Sequence, residues 1–214
     1  MLVVMGIMIL ITLALLVRQS RFDSSTVLRS LAYGVALSVR QAQVYGTSVV
    51  GTSTTAVACG SGFYNALTSS CYAAGYGVYF SATTPTSYIL FADLNGDGQY
   101  TPNEFVKSFS FSNGYVISDI CATESSTGNI DCWVGGTTAG LLGNSAWVTA
   151  VFKRPNPDAC FATNLQTTAC AAGGSPFYKS AYVKIIASAD SANTKSVTVT
   201  VPGEVSVCVT GTSC

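Results

Sequence analysis

The hydrophobic pattern of the chain changes its period twice. Residues 1–17, MLVVMGIMILITLALLV, carry no charge, no Pro and one Gly. A helix over this run would be about 25 Å long, just short of a ~30 Å hydrocarbon core. Such a run needs a bilayer or other copies of itself around it. Residues 18–47 continue the helix with one apolar stripe: Leu28, Leu31, Val35, Val39 and Ala42 recur at three and four. Arg18, Arg21, Asp23, Arg29 and Arg40 fall on other faces, and Gly46 is a plausible stop. Residues 1–47 therefore read as one helix, with 1–17 apolar all round and 18–47 amphipathic, the second part suited to a domain packed along it.

From residue 48 the period becomes two. Runs rich in Val, Ile, Tyr, Phe and Thr at 76–81, 87–92, 104–112, 114–120, 146–153, 181–188, 195–201 and 204–209 predict strands. Asn113-Gly114 predicts a hairpin between two of them, and Pro202-Gly203 another turn. Stretches of Ser, Thr, Gly and Ala at 47–70, 122–145 and 155–180 read as loops. The expected fold class is α+β: a long N-terminal helix packed by an antiparallel β-sheet head over 48–214, without a further domain boundary.

Composition narrows the function classes. Charged residues make up 9% of the 214, with ten basic and ten acidic side chains and no His. A soluble domain averages about 25% charged. Zero net charge argues against a nucleic-acid partner. The absence of His removes His-based triads and most zinc sites. No P-loop, no GxGxxG and no facing pair of acids suggests an enzyme; Asp119, Glu124, Asp131 and Asp158 read as solvated or capping residues. Ser61 in its Gly-rich setting has no base to activate it.

Eight cysteines, none in a CxxC, fit disulfides in an oxidising compartment better than zinc. Their grouping suggests Cys59–Cys71, Cys121–Cys132, Cys160–Cys170 and Cys208–Cys214. Arg18 and Arg21 follow the apolar run, so the positive-inside rule alone would hold the rest of the chain in the cytoplasm. A basic leader removed ahead of Met1 would reconcile them, and the chain reads as processed or truncated.

The sharpest motif is Asp93-Leu-Asn-Gly-Asp-Gly-Gln-Tyr-Thr-Pro-Asn-Glu104, which matches D-x-[DN]-x-[DN]-G-x5-E. Calcium takes six to eight oxygens. Asp93, Asn95 and Asp97 would supply side-chain oxygens, Gln99 a carbonyl, Thr101 a hydroxyl or bridging water, and Glu104 both carboxylate oxygens. Gly98 would permit the turn. The competing reading is a turn rich in Asp, Asn and Gly. Because strands flank it, the loop reads as a structural clasp. The aromatics around it, Tyr76, Tyr79, Phe80, Tyr88, Phe91, Phe105, Phe109, Phe111 and Tyr115, read as sheet core before they read as a sugar platform, as do Trp133 and Trp147.

The start LVVMGIMILITLALL resembles the N-terminal segment of type IV pilins and type II secretion pseudopilins. Leu28-Arg-Ser-Leu-Ala through Ser38-Val-Arg-Gln-Ala-Gln43 is similar to the amphipathic half-helix of GspH/FimT-type members. Ile89–Gly98 and Val197–Val207 look like their strand-and-turn and terminal hairpin. The family's Phe-Thr-Leu-Ile-Glu stretch is absent, and Ile9 and Val17 stand where many members have Gly and Pro. The resemblance implies a pilin fold and a non-enzymatic structural subunit of an extracellular, type IV pilus-like filament. Its partners would be copies of itself, the pilus or secretion assembly machinery, and the inner membrane, which would anchor it through a transmembrane helix before assembly. The alternative is a minor pseudopilin or tip adhesin, and after it a membrane-anchored secreted enzyme.

Overall fold

The computed structural model describes residues 2–48, 74–112, 114–135, 146–167, 170, 177–187 and 190–208; for 2, 16–24 and 190–192 it describes the backbone alone. The first element, α1, spans Leu2–Thr47. Ten strands follow: β1 Gly75–Ser81, β2 Ser87–Asp93, β3 Phe105–Ser110, β4 Tyr115–Glu124, β5 Ile130–Val134, β6 Trp147–Lys153, β7 Asn156–Thr163, β8 Tyr178–Ala187, β9 Asp190–Thr200 and β10 Val205–Cys208. They form two antiparallel five-stranded sheets, ordered β3-β2-β1-β6-β7 and β10-β9-β8-β4-β5.

This corrects the expected fold class. Among the described residues antiparallel β predominates, in two five-stranded sheets, where a pilin fold with a β-sheet head packed along a helix was expected. Two strands arise in segments that composition marked as loops. β5 is short and pairs with β4 across the Cys121–Cys132 disulfide, whose residues are register partners. β7 opens with Asn156-Pro157-Asp158 and only then alternates, placing Ala159 and Phe161 in the core. The expected 104–112/114–120 hairpin is also corrected. β3 pairs with β2, whereas β4 pairs with β5 and β8, so the turn at Gly114 (φ 75°) carries the chain from one sheet to the other. The Pro202-Gly203 turn does join β9 to β10, with Gly203 N–H donating to the Thr200 carbonyl.

The transmembrane helix and the inner-membrane anchor that followed from it are corrected as well. Among the described residues, no helix is long and apolar enough to cross a membrane.

One core joins α1 to both sheets. Leu28, Ala32, Val35, Val39 and Ala42 of α1 are buried against the alternating inner residues of the first sheet, among them Tyr76, Val78, Leu90, Val148 and Phe152. The second sheet adds Ile120, Ala181, Val183, Ile185, Val197 and Val199. A bulge between Ile117 and Asp119 shifts β4 by one residue, so both Ile117 and Ile120 face inward. Ser38 Oγ and Tyr88 OH, 3.0 Å apart, share the one polar contact described between helix and first sheet inside this core.

Candidate functional site

The Asp93–Glu104 loop leaves β2 and returns through a short 3-10 turn at Pro102–Glu104. Its two end carboxylates are almost fully buried, Asp93 at 3% exposure and Glu104 at 2%. Asp93 accepts from the Gly96 and Gly98 amides at 2.8 and 3.2 Å. Glu104 accepts from the Leu94 amide at 3.0 Å and from the Thr101 amide and hydroxyl, both at 2.9 Å. Asp97 accepts from the Gln99 amide at 2.7 Å and from Asn95 Nδ2 at 2.8 Å. Gly96 and Gly98, at φ 77° and 76°, supply the left-handed turns. The loop is pinned to β6 by Thr149, whose hydroxyl donates to the Gly98 carbonyl at 2.6 Å.

Burial raises the Asp93 pKa to about 6; the neighbouring Glu104 charge adds to this, the Gly96 amide works against it, and Asp97 adds a further repulsion. Two buried, mutually repelling carboxylates and a set of oxygen-only donors suit a hard cation in chemistry. In arrangement the fit is incomplete: among the described residues no group of three or more His, Cys, Asp or Glu side chains gathers closely enough to hold a metal ion. The carboxylates are engaged by the loop's own amides instead.

Of the aromatics, Tyr76, Phe80, Tyr88, Phe91 and Tyr115 are buried. Tyr79, Tyr100 and Trp147 remain half-buried in mutual contact beside the loop, with ring centroids 5.0 Å (Tyr79–Tyr100) and 6.2 Å (Tyr79–Trp147) apart. Phe105 is 37% exposed, and Phe109, Phe111 and Trp133 pack against the core edge.

Two acids expected at the surface are buried. Asp119 pairs with Lys184 at 2.8 Å, across β4 and β8. Asp131 accepts from Tyr178 OH at 2.9 Å, and that hydroxyl also meets Thr163 Oγ1 at 3.1 Å, bridging the two sheets. Burial raises the Tyr178 pKa, so the phenol stays protonated and serves as a donor. Alternation could have flagged Asp119, which lies inside the strand-forming run 114–120; Asp131 carried no such signal, since it lies in the stretch 122–145 that read as loop.

Cys121–Cys132 and Cys160–Cys170 are bonded, and Cys208 is disulfide-bonded. The Cys59–Cys71 pair and Cys214 lie outside the described residues, as does Ser61.

Among the described residues, most of the exposed large apolar side chains are on α1. Val3, Leu10 and Leu15 are 75, 68 and 61% exposed, and every residue from 3 to 15 is exposed. The second half of the helix is not one-sided. Opposite its buried stripe, Tyr33, Leu37 and Val44 stand 53, 69 and 59% exposed, separated by four and seven residues and so on one line.

No family model matches the chain, and neither a curated protein nor a solved structure is similar to it.

Proposed function

We propose that this protein is a non-enzymatic structural subunit of an extracellular filament, assembled from copies of itself through α1. The observation that carries the reading is the apolar surface of that helix. Residues 3–15 have no head to pack on, and Tyr33, Leu37 and Val44 extend the same surface along the back of the packed half. Full burial of each such side chain is worth about 1.5–3 kcal/mol, so association is strongly favoured. A repeated contact that does not close on itself gives a filament rather than a ring. The disulfides support an oxidising, extracellular setting. Imaging of the purified protein in detergent-free buffer should show filaments whose interior is residues 3–15. A monodisperse monomer under those conditions overturns the reading.

The acidic loop serves such a subunit as a clasp. Asp93, Asn95, Asp97, Gln99, Thr101 and Glu104 offer oxygens alone, and a calcium ion there would neutralise the buried carboxylates. Without the ion, the Asp93 shift sets the sign of the pH dependence. The folded pKa of about 6 lies above the ordinary 3.8, so the group's contribution is favourable below about 4 and is lost as pH rises through 6. Calcium competes with that proton. Calcium should therefore raise the head's melting temperature at pH 7.5 by several degrees, and much less at pH 5. Asp97→Ala should abolish the gain. An unchanged melting temperature on adding EGTA at pH 7.5 leaves the loop as a hydrogen-bonded turn.

A further inference from the structure

Gly98, in the middle of the acidic loop, is held from three sides. Its N–H donates to Asp93 Oδ2 at 3.2 Å, and its carbonyl accepts from the Thr149 hydroxyl at 2.6 Å. Its third side lies against the Cys160–Cys170 disulfide. A Cβ at position 98 would run into Cys170 Cβ, with Cys170 Sγ 2.9 Å away. Gly98 is buried between these partners.

The two holding points outside the loop stand on adjacent strands. Thr149 belongs to β6, and Cys160 in β7 is the register partner of Val151 on that same strand. After β7 the chain turns back, with Thr163 and Gln166 exchanging amide-to-carbonyl hydrogen bonds at 3.2 and 3.1 Å. The disulfide then fixes Cys170 beside Cys160, with 5.5 Å between their Cα atoms. Thr149 draws Gly98 onto the sheet, and Cys170 closes it in. The loop so held has a reason to open: Asp93 and Glu104 are buried like charges that repel each other. Gly98 supplies one of the two amides that Asp93 accepts from, so unseating Gly98 takes a donor from a buried carboxylate.

We propose that the Cys160–Cys170 disulfide is a redox latch on the Asp93–Glu104 loop: oxidised, it keeps Gly98 seated and the loop closed; as two thiols, it lets the loop open. Closing the latch takes two electrons and two protons from the thiols and passes them to a disulfide oxidant, which becomes a dithiol. The cross-link confines Cys170 to the neighbourhood of β7, and so its contact with Gly98 persists without a large attraction of its own. One consequence rests on the reading of the loop as a calcium clasp. The oxygens of Asp93 and Gln99, on either side of Gly98, come into register only in the oxidised chain, so calcium is taken up after oxidation and not before. Cys121–Cys132 joins β4 to β5 in the other sheet and has no part in the latch.

The test uses the full chain in detergent and reads amide hydrogen exchange in the absence of calcium. In Cys160→Ser with Cys170→Ser, exchange across residues 94–101 should be about tenfold faster than in the wild type or more, while β4 and β8 exchange as before. Wild type refolded with a dithiol present should show the same fast loop, and oxidation by glutathione disulfide should slow it again. The dithiol should not speed the loop of the double variant further. Gly98→Asn gives a second reading that keeps both cysteines. Asparagine tolerates the left-handed φ of 76° at this position, so faster loop exchange in the oxidised Asn variant reports the lost seat against Cys170. Loop exchange that is unchanged in the double variant or in Gly98→Asn overturns the latch. So does an increase spread equally through β4 and β8, which would make the bridge a support of the whole head. Calcium titration at pH 7.5 tests the consequence: affinity should fall about tenfold or more in the double variant. Wild type that binds no calcium removes the clasp reading and the ordered uptake with it, and the exchange rates then decide the latch alone.

Discussion

Leu10→Lys will leave the protein monomeric under conditions in which the wild type pellets as filaments. Leu10 is 68% exposed and sits in the middle of a stretch where every neighbour on the helix is apolar and exposed. In the free subunit the substitution removes no contact with the head and adds a charge that water solvates, so the melting temperature of the head should not move. In an assembly packed through α1, the same ammonium would have to enter an apolar surface such as the exposed Ile7, Ile11 and Leu13 present on each copy. The transfer gain of a leucine, about 2 kcal/mol, is lost. To it is added the cost of desolvating a charge without a partner, several kcal/mol more. Because every subunit in a filament repeats the defect at each interface, the critical concentration should rise at least a thousandfold at ~1.4 kcal/mol per factor of ten. Leu37→Lys sits on the line that continues this surface behind the packed half. Its effect should be smaller, about tenfold, since a single lysine there can lay its stem along the helix and keep its ammonium in water. Sedimentation across a concentration series measures both. A Leu10→Lys protein that assembles like the wild type removes α1 as the assembly element.

The uneven legibility of the chain has a physical pattern. The inner stripe of α1 can be read from spacing because burial on one face imposes it; Leu28, Val35, Val39 and Ala42 are all core. The outer line of Tyr33, Leu37 and Val44 escapes such a reading because amphipathic reasoning allots a helix one apolar face. The head covers one of the two faces and leaves the other exposed. In the sheets, eight runs of alternating β-branched and aromatic residues became strands. β5 and β7 do not show in the sequence because their strand character comes from tertiary pairing, through a disulfide at Cys121–Cys132 and through the β6 register, rather than from propensity. The Asn113-Gly114 signal correctly marked a turn, but turn chemistry does not say whether the next strand pairs back or crosses to another sheet. The loop motif was legible residue by residue. Its hydrogen bonding was not, because each carboxylate is engaged by amides whose placement depends on the fold around them.

Gly46→Ala should destabilise the protein, whereas Gly34→Ala should stabilise it, although both replace a glycine in the same helix. In an unconstrained helix the exchange is favourable by up to about 1 kcal/mol, because glycine has more chain entropy to lose on folding. Gly34 has no atom within 4 Å of the position a Cβ would take, so the gain should be realised there. At Gly46 the added Cβ would meet the carbonyl group of Phe152, with the carbonyl carbon at 2.8 Å and the side-chain Cβ at 3.0 Å. The obstacle is backbone in β6, a central strand hydrogen-bonded to both β1 and β7, and it cannot yield locally. The helix must lift instead. In doing so it loosens Ala42 from the shared core and parts the edge-to-face rings of Tyr45 and Tyr76, whose centroids are 5.4 Å apart. Overpacking of this kind costs about 1–3 kcal/mol, which outweighs the entropic gain. Glycine at position 46, which reads in the sequence as a helix stop, is in the structure the point where α1 comes close enough to lie on the sheet. Urea unfolding of the two variants should show midpoints displaced in opposite directions from the wild type. Equal displacements would mean that the helix does not approach β6 this closely in solution, and with it would go the geometry that turns the apolar line of Tyr33, Leu37 and Val44 away from the head.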